Sequence, residues 1–138
     1  MNSSRVVRAM ILVLLLSPAV FAAEDLTGKW SGSFVITMDE NPPVTDKAHM
    51  VAKQDKAMLT GTIGPDENDQ YEILKGKVET VKVAGKDVTK VSFDVVAGSG
   101  GPLAHATLTL VDGHLKGTLL AEGDGHKMSA VMDLTRIK

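Results

Sequence analysis

The feature that most constrains the fold is an alternation of apolar and polar residues with a period of two, which recurs from residue 28 to residue 136. One parity of the first such segment is apolar: Trp30, Phe34, Ile36 and Met38. Successive side chains of a β-strand point to opposite faces, so this pattern predicts strands with one buried face. No helical period of useful length occurs after residue 22, which indicates an all-β domain.

Eight such segments follow one another, joined by short turns. The second, third and fourth are predicted near residues 46–54, 58–63 and 71–80, and the fourth is assigned with Leu74, Gly76 and Val78 facing inward. Asp112-Gly113 and Asp124-Gly125 are strong signals for two-residue hairpins. Because every connection is short, the pattern predicts an eight-stranded antiparallel up-and-down β-barrel.

The first 22 residues have the composition of a secretory signal peptide. Arg5 and Arg8 precede a short apolar run at 9–16, and Val20-Phe21-Ala22 fits a cleavage site. The apolar run is too short for a membrane span, which needs about 20 residues. We therefore predict a signal peptide at 1–22, one barrel domain at 23–138, a secreted or periplasmic location, and no membrane anchor in the mature form.

Charge and cysteine content exclude several classes of function. The chain has 15 basic and 17 acidic side chains and no basic stripe, which argues against nucleic acid as a partner. It has no cysteine, so thiol catalysis, thiolate metal sites and disulfides are absent. Nothing in the sequence calls for a cofactor.

The two ends of the barrel domain resemble those of the calycin barrels, a group that includes lipocalins, avidins and small bacterial protease inhibitors. The similarity lies in Gly28-Lys29-Trp30 at the start and Arg136 at the end. It implies that the arginine packs across Trp30 at the closed end of the barrel. Leu26–Trp30 followed by Leu59–Thr62 is most similar to avidins, and Leu134–Arg136 to the inhibitors. The further tryptophans that avidins use for biotin and the inhibitors' disulfide are both missing.

Candidate catalytic and metal-binding residues are sparse. The inward positions assigned above include no charged group except Arg136, so we expect no enzyme activity. Asp-Gly-His occurs at 112–114 and 124–126, but these turns flank one strand and are predicted at opposite ends of the barrel, too far apart for a shared metal. His49 and His105 fall on outward positions, where we expect solvated side chains.

One end of the predicted barrel is acidic. The loops that share this end carry Asp39, Glu40, Asp46, Asp66, Glu67, Asp69, Glu122 and Asp124. Such a cluster is either a solvated surface or a calcium-type site, although the spacing lacks the regularity of a dedicated calcium loop.

The interior of an eight-stranded barrel is either filled by side chains or holds one small ligand. Inward glycines and alanines favour a modest apolar cavity beneath the acidic end, and the residues predicted to line it are Ile36, Met50, Ile63, Phe93, Ala104, Ala106 and Met128. The acidic end would repel fatty acids, so the sequence predicts a binding module for a small apolar ligand that is neutral or cationic. The alternatives are a protein-interaction or protease-inhibitor-like module with a partner protein, and a structural barrel whose core is filled.

Overall fold

The computed structural model describes residues 25–96, 101–123 and 125–137. The predicted signal peptide (1–22) and Asp124 lie outside the described residues. In these ranges the chain forms nine strand segments and no helix. The segments are β1 (Gly28–Met38), β2 (Val44–Asp55), β3 (Met58–Asp66), β4 (Asp69–Glu72), β5 (Leu74–Val83), β6 (Lys86–Val96), β7 (Leu103–Val111), β8 (His114–Gly123) and β9 (His126–Arg136).

The strands close into an antiparallel barrel. Each segment from β5 to β9 pairs with its neighbour in sequence, β9 pairs with β1, and the β1–β2 and β2–β3 ladders complete the ring. The segments β4 and β5 both lie along the edge of β3 that β2 leaves unpaired, so together they occupy one barrel position. The predicted all-β, eight-stranded antiparallel up-and-down barrel is therefore confirmed.

The fourth barrel position differs from the prediction because it contains a β-bulge. Leu74 and Lys77 are three residues apart in β5, whereas their partners in β6, Asp94 and Ser92, are only two residues apart. The extra residue is Lys75, whose φ is 51°. A bulge reverses the side-chain parity on one side of it. The assignment of Leu74 to the inward face is consequently wrong, and Ile73 is the buried side chain instead.

Glycines allow neighbouring backbones to approach closely where the barrel coils. A Cβ added at Gly61 would lie 1.9 Å from the Val51 carbonyl oxygen, and the φ of Gly61 is +135°. A Cβ at Gly117 would lie 1.9 Å from the Thr107 carbonyl oxygen. Any larger residue at these positions would push the paired strands apart, so these glycines set the tight curvature of the barrel.

The antiparallel order gives the barrel two distinct ends. The end that carries the β1–β2, β3–β4, β6–β7 and β8–β9 connections is called the rim, and the other end is called the base. Large side chains fill the base half and the middle of the barrel. Those that are almost completely buried are Leu26, Trp30, Met50, Leu59, Val91, Leu108, Leu115, Met132 and Leu134.

Candidate functional site

An apolar cavity of about 230 Å³ lies in the rim half of the barrel. Its walls come from strands on all sides of the ring, so it occupies the barrel interior. The lining residues are Phe34, Ile36, Asp46, Ile63, Gly64, Pro65, Tyr71, Phe93, Val95, Leu119, Met128, Ala130 and Met132.

The period-two alternation places these side chains together. Phe34 and Ile36 are two residues apart on β1, and their partners across the β1–β9 ladder are Met132 and Ala130. Residues directly opposite each other in an antiparallel pair point to the same face. One wall of the cavity therefore follows from the alternation and from the β1–β9 register.

The base of the barrel is sealed around Trp30, which is 1% exposed. The Trp30 indole Nε1 donates a hydrogen bond to the Leu26 carbonyl oxygen at 3.0 Å. The Arg136 guanidinium carbon lies 4.6 Å from the centre of the Trp30 ring. Arg136 also donates hydrogen bonds to the carbonyl oxygens of Thr27, at 2.7 Å, and of Asp25, at 2.8 Å. These contacts hold residues 25–27 across the base.

Four of the seven residues that the sequence assigns to a cavity line this one: Ile36, Ile63, Phe93 and Met128. The other three, Met50, Ala104 and Ala106, are buried but are not among the lining residues.

The three exceptions are explained by the residues that lie opposite them on adjacent strands. Ala106 lies between Phe93 and Leu119 on the adjacent strands, and these larger side chains line the cavity in its place. In the same way Val95, opposite Ala104, contributes to the wall. Met50 lies opposite Trp30 and is completely buried in the filled part of the core.

Asp46 and Tyr71 are lining residues that the sequence analysis did not assign to the cavity. Asp46 lies opposite Phe34 and on the same parity as Ala48 and Met50, so its carboxylate lies at the mouth of the cavity, where it is exposed to solvent. The expectation that Arg136 is the only charged inward residue is wrong. The predicted second strand begins at residue 46, but Asp46 was counted with the loops of the acidic end and not among the inward residues.

Tyr71 reaches the cavity because of the bulge at Lys75. With the predicted uninterrupted strand it would face outward, whereas the structure pairs it with the inward residue Ile63. Its pKa is raised, chiefly by the hydrogen bond between its hydroxyl and the Asp69 carboxylate and also by the negative charge of that group. The Tyr71 hydroxyl is therefore neutral at physiological pH and is directed towards the acidic β3–β4 turn.

Part of the acidic rim is neutralised by neighbouring groups. Asp39 accepts hydrogen bonds from the Lys127 backbone N–H, at 3.0 Å, and pairs with His126 Nδ1 at 2.9 Å. These two contacts hold the pKa of Asp39 below its ordinary value, the backbone hydrogen bond contributing most. Glu122 lies 3.8 Å from the Lys127 ammonium. The compensated charges thus lie where β9 begins.

The histidines show no shared metal site. His114 pairs with Asp133 at 2.6 Å near the base, whereas His126 pairs with Asp39 at the rim. His105 pairs with Asp94 on the outer surface. In the described ranges, no group of three or more histidine, aspartate or glutamate side chains is arranged to hold a metal ion.

His49 differs from the sequence expectation. It was expected to be solvated, but it is only 9% exposed. The β3–β4 hairpin covers it: Glu67 lies 3.6 Å from its Nε2, and the Gln70 side-chain amide donates a hydrogen bond to its carbonyl oxygen. The expectation is wrong because the parity of a strand does not reveal which hairpin bends over its outer face.

The chemistry of the cavity suits the binding of an apolar molecule. Its walls are mostly aliphatic, thioether and aromatic, and Asp46 and Tyr71 are its ionisable lining residues. Pockets of this kind bind by removing apolar surface from water, while a few polar groups orient the ligand.

Comparisons of the chain with models of protein families, with curated proteins and with solved structures found no significant match. The part of the chain that the structure describes contains no helix of sufficient length and hydrophobicity to cross a membrane. The structure therefore establishes a small closed antiparallel β-barrel and assigns it to no family.

Proposed function

We propose that this chain is an exported, non-catalytic barrel that binds a small apolar ligand, neutral or cationic, in the cavity described above. The observation that supports this proposal is an apolar space of about 230 Å³ within the rim half of a barrel whose base is filled. Burial of apolar surface stabilises a complex by about 25 cal/mol per Å², so such a space favours an apolar occupant.

The shape of the interior supports entry from the rim. Trp30 and Arg136 occupy the base, where the guanidinium bridges two backbone carbonyls. Met128 and Met132 line the cavity, and their flexible thioether side chains adapt to ligands of different shape.

Export and the barrel type are parts of the same proposal. The arrangement of Arg136 over Trp30 supports a calycin-like barrel, as the resemblance of Gly28-Lys29-Trp30 implies. The composition of residues 1–22 supports cleavage after Ala22 and a secreted or periplasmic location. A partner in these compartments would reach the cavity without crossing a membrane.

Titration calorimetry tests the binding function. We expect the neutral probe ethylbenzene and the cationic probe 2-phenylethylammonium, whose sizes match the cavity, each to bind saturably with one site per barrel. Ala130→Leu should weaken both by about tenfold or more, because the larger side chain fills part of the cavity. Ser129→Leu is the matched control, since Ser129 is the adjacent, exposed residue of β9 and its side chain points away from the interior.

The absence of saturable binding of either probe to folded protein would contradict the proposal and favour an interaction module or a structural barrel. Equal binding by Ala130→Leu and the wild-type protein would place the probe outside the cavity. Native mass spectrometry of protein purified from its own source gives an independent readout, because the mature N-terminus and a retained ligand both appear in the measured mass.

A further inference from the structure

We infer that the cavity selects an organic cation, a molecule with an apolar body of about eight heavy atoms and one ammonium group, and that Asp46 is its counter-ion. This inference rests on the proposed ligand-binding function and specifies the chemical class of the ligand. It is carried by an uncompensated carboxylate at the edge of an aromatic-lined apolar cavity.

Asp46 is the carboxylate of the cavity lining, whose other ionisable residue is Tyr71. Among the described residues it takes part in no salt bridge. The Lys47 backbone N–H donates to its Oδ1 at 2.8 Å, which leaves Oδ2 for a further donor. The Lys47 side chain does not neutralise it, because consecutive residues of a strand point to opposite faces.

Aromatic side chains line the same cavity as Asp46. Phe34 is opposite Asp46 across the β1–β2 ladder, and Tyr71 and Phe93 also line the cavity. A cation over an aromatic face is attracted by the negative potential of the ring. Asp69, which accepts the hydrogen bond of the Tyr71 hydroxyl, adds negative charge beside that ring. Carboxylate and aromatic faces together provide the usual environment for an ammonium group.

The carboxylates at this side of the rim also produce a negative electrostatic potential that repels anionic ligands. The register that pairs His49 with Gly64 brings the β3–β4 turn beside Asp46, and this turn carries Asp66, Glu67 and Asp69. The basic side chains at the start of β9 have other partners, because Lys127 pairs with Glu122 and His126 with Asp39. A carboxylate ligand would meet like charges at the entrance, whereas an ammonium ligand would be attracted.

The cavity volume sets the size of the apolar body. At about 30 Å³ for each water-sized group, 230 Å³ accommodates about eight heavy atoms. Octylammonium, octan-1-ol and octanoate therefore form a matched series that differs mainly in the charge of the head group.

Isothermal titration calorimetry with this series tests the inference at neutral pH. We expect octylammonium to bind about tenfold more tightly than octan-1-ol, the ratio that a partly exposed ion pair and one cation–π contact would produce, and octanoate to bind most weakly. The preference should decrease in high salt. Asp46→Asn should abolish it and leave octan-1-ol binding unchanged, which also shows that the variant is folded.

Asp87→Asn is the matched control, because it removes the same charge from an exposed carboxylate at the base. Its octylammonium preference should equal that of the wild-type protein. Equal binding of octylammonium and octan-1-ol, unaffected by Asp46→Asn, would overturn the inference while the apolar binding function stands. Binding that is tightest for octanoate would also overturn it, and saturable binding by none of the three would refute both proposals.

Discussion

Replacement of Arg136 by alanine should destabilise the barrel strongly, although the side chain lies on the surface. Three contacts disappear together: the packing of the guanidinium over Trp30 and the hydrogen bonds to the carbonyl oxygens of Thr27 and Asp25. The loss of these contacts would release residues 25–27, whose Leu26 is completely buried beneath the base.

The magnitude follows from these contacts. A cation–π contact at an exposed site contributes about 0.5–1 kcal/mol. A hydrogen bond from a charged donor contributes about 1.5–3 kcal/mol, and the lower value applies because Arg136 is exposed to water. The contacts share one side chain and are not additive, so we expect a loss of about 2–4 kcal/mol. At about 4 °C per kcal/mol for a domain of this size, the melting temperature should fall by about 8–16 °C.

Urea and thermal unfolding followed by the fluorescence of Trp30, the single tryptophan of the chain, measure this effect directly. The variant should also shift the native emission of Trp30 to longer wavelength, because the indole loses its cover. Arg136→Lys should give an intermediate loss, since lysine retains the charge but not the planar fork. Lys116→Ala, which removes a 3.9 Å surface pair with Asp133, should change stability by less than about 1 kcal/mol.

A loss below about 0.5 kcal/mol for Arg136→Ala, with unchanged Trp30 emission, would refute the reasoning that the arginine closes the base.

Two further perturbations test the barrel geometry. Gly61→Ala should lower the free energy of unfolding in urea by about 3 kcal/mol or more, because the added Cβ would meet the Val51 carbonyl oxygen and the φ is positive. Gly113→Ala, where the added Cβ would lie in open space at φ +79°, should lower it by only about 1 kcal/mol. Equal losses for the two variants would contradict the close approach of the backbones at Gly61. Asp39 has a pKa lowered mainly by the Lys127 backbone N–H, so its stabilising contribution is present at neutral pH and is lost as the pH falls below about 4. The difference in urea midpoint between the wild-type protein and Asp39→Asn should therefore shrink from pH 7 to pH 3, and a difference that does not depend on pH would contradict this assignment.

The alternation of residues was sufficient to predict the architecture because strand parity is a local property. In β6, β7 and β9 the apolar parity of the sequence coincides with the buried face of the barrel, and four predicted cavity residues lie on the observed wall. Short turns such as Asp112-Gly113 join strands that are antiparallel neighbours, so the order of the strands follows from the order of the turns. The acidic end also follows from turn order alone, because alternate connections of an up-and-down barrel share an end.

The prediction of inward and outward side chains was wrong where one inserted residue reversed the alternation. The bulge at Lys75 turns Tyr71 and Ile73 inward and Leu74 outward. The backbone of Lys75 is left-handed, and a lysine within an alternating pattern gives no indication of that conformation. Such a bulge is set by the pairing of β5 with β6, which is an interaction between distant parts of the chain.

What the sequence by itself determined is which side chains face the interior of most strands; what only the tertiary structure decided is how that interior is filled. Whether an inward residue lines the cavity depends on the size and height of its neighbours on adjacent strands. Met50 does not line the cavity because it lies in the filled core beside Trp30, and Ala106 does not because the larger Phe93 and Leu119 lie on either side of it. Asp46 reaches the cavity because β2 pairs with β1 as far as the rim, and register across strands is a property of the closed barrel.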